Sequence, residues 1–178
     1  LPICCAAKSS VWVAPVRKIL FSFALLVVSL GNHAQERLPK VILKDMEGRT
    51  VQTDTIANNG KPLLLAFFAT WCKPCNRELK AIAELYDEWQ QETGMRLIAV
   101  SVDQAQNINK VKPLVDQNGW QYDVLLDPNS ELRHALGIQL IPYTVLLDGQ
   151  GNIIYRHNGY TDGAELELYE KIKEIASK

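Results

Sequence analysis

Cys72-Lys73-Pro74-Cys75 is the segment of this sequence whose residue types and spacing carry the plainest chemistry. Two cysteines separated by two residues serve as half of a zinc site or as a redox pair. A structural zinc site takes four ligands. The other two cysteines, Cys4 and Cys5, precede a leader-like apolar run, and His134 and His157 stand far off in sequence and isolated from each other. The spacing therefore favours a redox pair. In such a pair one thiolate attacks a disulfide and the second cysteine resolves the mixed disulfide.

The elements on either side must position that pair. Leu63-Leu-Leu-Ala-Phe-Phe-Ala69 is a continuous apolar run of strand length, as expected for a strand covered on both faces. From Asn76 to Glu92, Leu79, Ile82, Ala83, Leu85, Tyr86 and Trp89 recur at three and four, the spacing of a helix that Gly94 ends. A buried strand feeding a helix places Cys72 at the helix N-terminus, where unpaired amides and the positive dipole end stabilise a thiolate. Cys72 is thus expected to be the nucleophile. Cys75, one turn further in and less exposed, is expected to resolve. Pro74 suits the first helical turn, where its missing amide hydrogen has no helical partner. Lys73 adds a positive charge beside the thiolate, although an exposed lysine shifts its pKa only modestly. Trp71, immediately before the nucleophile, reads as a shield for the disulfide and a substrate contact rather than as ordinary core.

The rest of the chain supplies a single α/β domain. Val41-Ile-Leu43, the turn Asp45-Met-Glu-Gly48 and Thr50-Val-Gln-Thr53 form a short hairpin, and Arg96–Val102 is a second buried-type strand. Ile108 to Asn118 is a second helix, which Pro113 either kinks or makes start later. Tyr122–Leu126 is a further strand, and Asp127-Pro-Asn-Ser130 offers a cap for a helix from Glu131 to Leu136. Tyr143–Leu147 and Asn152–Arg156, joined by Asp148-Gly-Gln-Gly151, form an antiparallel hairpin, and Leu166–Ala176 closes the chain as a helix. Strands alternating with helices imply parallel crossovers.

The chain has 178 residues, 47% of them apolar and 22% charged, enough for one compact core, and a formal charge of -1 gives no field to attract nucleic acid. Residues 1–34 have a different character. Lys8, Arg17 and Lys18 precede the uncharged run Ile19–Leu30, and Gly31-Asn-His-Ala34 follows. This is the layout of a secretory signal cleaved after Ala34, with an uncleaved N-terminal anchor as the alternative. The expected division is therefore a signal or anchor at 1–34 and a folded domain at 35–178, placed in the periplasm or elsewhere outside the cytoplasm.

Ala69-Thr-Trp-Cys-Lys-Pro-Cys-Asn-Arg-Glu78 resembles the active-site signature of the thioredoxin superfamily, in particular its secreted TlpA/ResA-like thiol-disulfide oxidoreductases. The resemblance covers nearly all of the chain after the signal. It implies a thioredoxin-like fold: a mixed central sheet flanked by helices, with an N-terminal β extension and an insertion around Gln104 to Leu126. It also implies a Cys72–Cys75 disulfide and a cis Ile141-Pro142 bond opposite it, with the backbone of Ile141 open to pair with an extended substrate. Two positions depart from cytoplasmic thioredoxins. Their buried aspartate on the strand before the motif is matched here by Ala66, and Glu78 matches the glutamate typical of the ResA-like group. Glu78 either exchanges protons with the thiols from a partly buried site or is a solvated acid in the first helical turn.

The function expected is thiol-disulfide exchange on protein substrates, with Cys72, Cys75 and Glu78 catalytic and Trp71, Lys73, Pro74, Ile141 and Pro142 contacting substrate. The resemblance favours reduction, with electrons from a membrane-bound donor and cytochrome c maturation as a destination. A disulfide-forming oxidant and a copper- or zinc-handling module using the dithiol are the alternatives. No cofactor is required, because two sulfurs carry both electrons. The peroxidatic proline-threonine-cysteine motif of peroxiredoxins is not found around Cys72. His134, His157, Tyr160 and Trp120 are given no chemistry, and the oligomeric state is not written in the chain.

Overall fold

A computed structural model describes residues 35–177, which lie within one compact unit. The 1–34 segment, with its expected signal, lies outside the described residues. The order is β1 (Ile42–Asp45), β2 (Thr50–Gln52), β3 (Leu63–Phe68), α1 (Lys73–Thr93), β4 (Arg96–Ser101), α2 (Val111–Asn118), β5 (Asp123–Leu126), α3 (Glu131–Ala135), β6 (Tyr143–Leu147), β7 (Ile153–Asn158) and α4 (Ala164–Ala176). The strands form one sheet in the order β2-β1-β5-β4-β3-β6-β7. Helix-bearing connections make β3, β4 and β5 parallel, while β1, β2, β6 and β7 join antiparallel. This is the mixed, helix-flanked sheet that the resemblance implied. The early hairpin joins its edge through β1 and β5.

All six residues of β3 are buried, as a strand with neighbours on both edges and helices over its faces requires. Each such Leu or Phe contributes about 1.5–3 kcal/mol through burial. Helix α1 turns a stripe of Cys75, Glu78, Leu79, Ile82, Tyr86 and Trp89 inward. The stripe follows the spacing of three and four seen in the sequence, except that an acid occupies one of its positions. Aromatic contacts fix the helix: Tyr86 meets Tyr122 edge-on at 5.7 Å, Tyr122 stacks on Trp120, and Trp120 meets Phe68 of β3 edge-on at 5.8 Å. The Tyr122 hydroxyl donates to the Leu79 carbonyl at 3.2 Å. On the same helix, Trp89 stacks on Tyr169 of α4 at 4.6 Å.

Two local alternatives are resolved. For Pro113 the later start holds rather than the kink: a 3-10 turn at Ile108–Lys110 leads in, α2 begins at Val111, and the proline falls at the third helical position, where an amide hydrogen would have had no partner. The cap expected from Asp127–Ser130 is present, and within it Ser130 contributes nothing, because its own backbone is left-handed at φ 55. The buried Asp127 carboxylate does the capping, accepting from the amides of Glu131 at 2.7 Å and Arg133 at 3.0 Å.

Candidate active site

Cys72 and Cys75 are joined by a disulfide. The chain leaves β3 at Phe68, turns through a bond from the Cys72 amide to the Ala69 carbonyl at 3.0 Å, and enters α1 with Cys72 as its N-cap. The Cys72 Sγ accepts from the Cys75 amide at 3.3 Å, and its carbonyl accepts from the Asn76 amide at 3.1 Å. Lys73 and Pro74 fill the first two helical positions, so the amide that proline lacks is one the helix does not use. Lys73 is exposed and Pro74 half-buried. Cys72 is 5% exposed and Cys75 fully buried, which gives the two sulfurs unequal access.

Trp71 is 66% exposed, so it is not core. It borders a groove of about 530 Å³ that also takes in Thr70, Asn107, Lys110, Pro113 and Leu114. The far wall of that groove is the α2 segment, the insertion expected around Gln104 to Leu126. Antiparallel register sets Phe67 against Tyr143 and Ala66 against Thr144, so Pro142 reaches the sheet at the end where β3 runs into the dithiol. The Ile141-Pro142 bond is cis, and the Pro142 carbonyl accepts from the Gly159 amide at 2.8 Å. Ile141 is half-buried, and Leu140 before it is 64% exposed.

Glu78 is 4% exposed and makes no hydrogen bond or ion pair among the described residues, which removes the reading of a solvated first-turn acid. Burial, reinforced by the charge of Glu165 on α4, pushes its carboxyl up from 4.5 to about 8. Tyr160 is pushed up to about 12, first by burial and then by its hydrogen bond to Glu165. Ala66 stands between Ala99 on β4 and Thr144 on β6, a row of small side chains with no acid. Glu78 is therefore the buried carboxyl on the inward stripe that begins at Cys75.

Four polar residues to which the sequence reading gave no role meet at the junction. Asp103, fully buried just beyond β4, accepts from the Thr70 amide at 2.7 Å, the Thr70 hydroxyl at 2.7 Å and the Ser101 hydroxyl at 2.9 Å. Asn76 Nδ2 donates to the Thr70 carbonyl at 3.1 Å. Val100-Ser-Val-Asp103 is the only trace of this in the sequence, and an acid ending a strand looks the same there whether buried or solvated. His134 is exposed, His157 stacks on Tyr155 in β7, and Trp120 is core. Among the described residues no group of three or more His, Cys, Asp or Glu side chains is placed to hold a metal ion. None of the described helices is long and apolar enough to cross a membrane.

The AhpC/TSA family model matches residues 34–156. The thiol-disulfide oxidoreductase ResA of Bacillus thuringiensis (strain Al Hakam) is 30% identical over 133 residues, covering 75% of this chain and 74% of that protein. ResA of Halalkalibacterium halodurans is 29% identical over 142 residues, covering 80% and 76%. Among solved structures, a thioredoxin-like protein from Porphyromonas gingivalis is 56% identical with a TM-score of 0.72, covering 79% of this chain and 92% of that one. StoA from Bacillus subtilis is 26% identical with a TM-score of 0.58, covering 75% and 97%. With a dithiol at a strand-to-helix junction and this kinship, the chain belongs to the AhpC/TSA family and, within it, to the TlpA/ResA-like thiol-disulfide oxidoreductases of thioredoxin-like fold.

Proposed function

We propose that the chain reduces disulfides in protein substrates outside the cytoplasm, with Cys72 as nucleophile and Cys75 as resolving thiol. The observation that carries this reading is Cys72 at the N-cap of α1, reachable, with Cys75 enclosed behind it. The Cys72 thiolate attacks one sulfur of the substrate disulfide, and the other sulfur leaves as a thiolate that takes a proton. Cys75, deprotonated, then attacks the Cys72 sulfur of the mixed disulfide and releases the second substrate thiol. The substrate gains two electrons and the enzyme is left as the Cys72–Cys75 disulfide. A membrane-bound dithiol donor restores it by the same exchange in reverse.

Glu78 exchanges the proton with Cys75, three residues earlier on the same inward stripe, since a carboxyl titrating at about 8 is poised for transfer near neutral pH. Trp71 and Ile141 offer apolar contact to the chain around the substrate disulfide, Lys73 and Pro74 form the rim above the sulfurs, and Pro142 closes the opposite side. The basic-then-apolar layout of 8–34 supports export, with that segment as signal or anchor, and kinship to ResA supports cytochrome c maturation as the destination. Reduction is favoured because a buried carboxyl beside the dithiol works against a strongly stabilised thiolate, and a less stabilised reduced form is the better electron donor.

Cys75→Ser expressed in its native compartment should stall as mixed disulfides on Cys72, while Cys72→Ser traps none. Capture through Cys75 instead would reverse the roles. A dithiol potential near about -270 mV, as in thioredoxin, fits a reductase, whereas one near about -120 mV would make the protein an oxidant.

A further inference from the structure

We propose that Asp103 is a positioning residue for the nucleophile: it clasps Thr70 and so keeps Cys72 at the N-cap of α1 when the disulfide is open. The inference rests on the reading of Cys72 as nucleophile. A carboxylate taken fully out of water is costly unless its oxygens are satisfied. Asp103 meets that condition with three donors, two of them from Thr70. The Thr70 carbonyl is held from the other side by Asn76 Nδ2. Every backbone and side-chain polar group of Thr70 is thus engaged, one partner lying beyond β4 and the other in the first turn of α1. Just ahead, the Val102 amide donates to the Phe68 carbonyl at 2.8 Å and extends the β3–β4 pairing to the loop.

Only Trp71 separates Thr70 from Cys72. In the disulfide state the sulfur bridge itself ties Cys72 to the helix. In the dithiol state that tie is gone, and the loop must hold the nucleophile where the free amides of the helix end stabilise its thiolate. The clasp is independent of the redox state, because none of its bonds involves sulfur. The ionisable neighbours along the first turns of the helix, Lys73, Arg77 and Glu78, take no part in it, Arg77 being paired with Asp162.

The test uses the reduced full chain, with the pH midpoint of Cys72 alkylation by iodoacetamide read by mass spectrometry and thermal unfolding measured in parallel. Thr70→Val keeps the amide bond to Asp103 and removes the hydroxyl bond, and Asp103→Asn opposes one of the two Thr70 donors with a donor of its own. Both should raise the Cys72 midpoint by about half to one unit, about three- to tenfold less thiolate at neutral pH, and Thr70→Ser should restore it. An unmoved midpoint in folded Thr70→Val would overturn the proposal and leave the clasp structural. A lowered midpoint in Asp103→Asn with Thr70→Val unmoved would also overturn it, since Asp103 would then act through its charge. If Asp103→Asn does not fold, the two Thr70 variants decide alone. A wild type in which Cys75 reacts first would overturn the nucleophile assignment and the clasp with it.

Discussion

The backbone amide of Cys75 points at Sγ of Cys72 from 3.3 Å, so the sulfur of the proposed nucleophile also closes the N-terminus of the helix. On the proposed roles, the amide of the resolving residue helps hold charge on the attacking sulfur. In the reduced protein Cys72 should therefore be alkylated at least about tenfold faster than the enclosed Cys75 at pH 7. Cys72→Ser should lower disulfide exchange by at least about a thousandfold, because a serine hydroxyl is not ionised there. Turnover of a protein disulfide checks the second outcome and mass spectrometry the first.

Glu78 sets a pH dependence whose sign is fixed. Its carboxyl titrates at about 8 in the fold against 4.5 ordinarily, so between those values the unfolded chain has lost the proton while the folded chain keeps it. Stability is thus full below about 4.5, falls as pH rises, and levels off above about 8. The loss is on the order of 5 kcal/mol. Glu78→Gln should flatten denaturant-derived stability across that window and remove the inflection near pH 8 from the exchange rate. A Gln variant with the wild-type slope would show that another group titrates there.

Glu165 reinforces that shift from α4, secondary to burial. Glu165→Gln should move the Glu78 inflection to lower pH without abolishing it, as a pH–rate profile or NMR titration would show.

Trp71 is mostly exposed beside the groove, so its removal should spare the fold and cost substrate. For Trp71→Ala we expect stability within about 0.5 kcal/mol of wild type. The KM for a protein substrate should rise about five- to thirtyfold with little change in kcat. A small-molecule disulfide, which does not reach the groove, should be turned over as before.

Gly149 lies at the opposite end of β6 from Pro142, and a Cβ there would collide with the Gly60 carbonyl oxygen. Both partners are backbone, so neither yields cheaply. Gly149→Ala should cost about 1–3 kcal/mol. Cys72 reactivity should be unchanged in the folded fraction. Chemical denaturation and alkylation of the same sample separate the two effects.

The dithiol, the strand before it and the helix after it were legible because each is written in neighbouring residues: a spacing of three between sulfurs, an apolar run, a recurrence at three and four. Local signals left alternatives open where a nearer candidate competes with a better-placed one. Ser130 sits where a cap belongs, yet its left-handed backbone turns the hydroxyl aside and Asp127, three residues earlier, takes the amides. Pro113 reads as either a kink or a later start, and the 3-10 turn at Ile108–Lys110 selects the later start.

By itself the sequence determined that this protein has a dithiol at a strand-to-helix junction, with Glu78 one turn past Cys75 and an alanine at position 66. Tertiary structure alone decided what surrounds them. Whether Glu78 meets water or core depends on how α1 and α4 pack over the sheet, since charge spacing along one helix says nothing about the element laid across it. Pro142 reaches the end of the sheet from which β3 runs into the dithiol only because β6 runs antiparallel beside β3 in a given register. Asp103 meets Thr70, thirty-three residues away, because parallel pairing of β3 and β4 brings the ends of both strands to one edge. Burial and long-range pairing are properties of the assembled sheet, and they turn a pair of cysteines into a poised one.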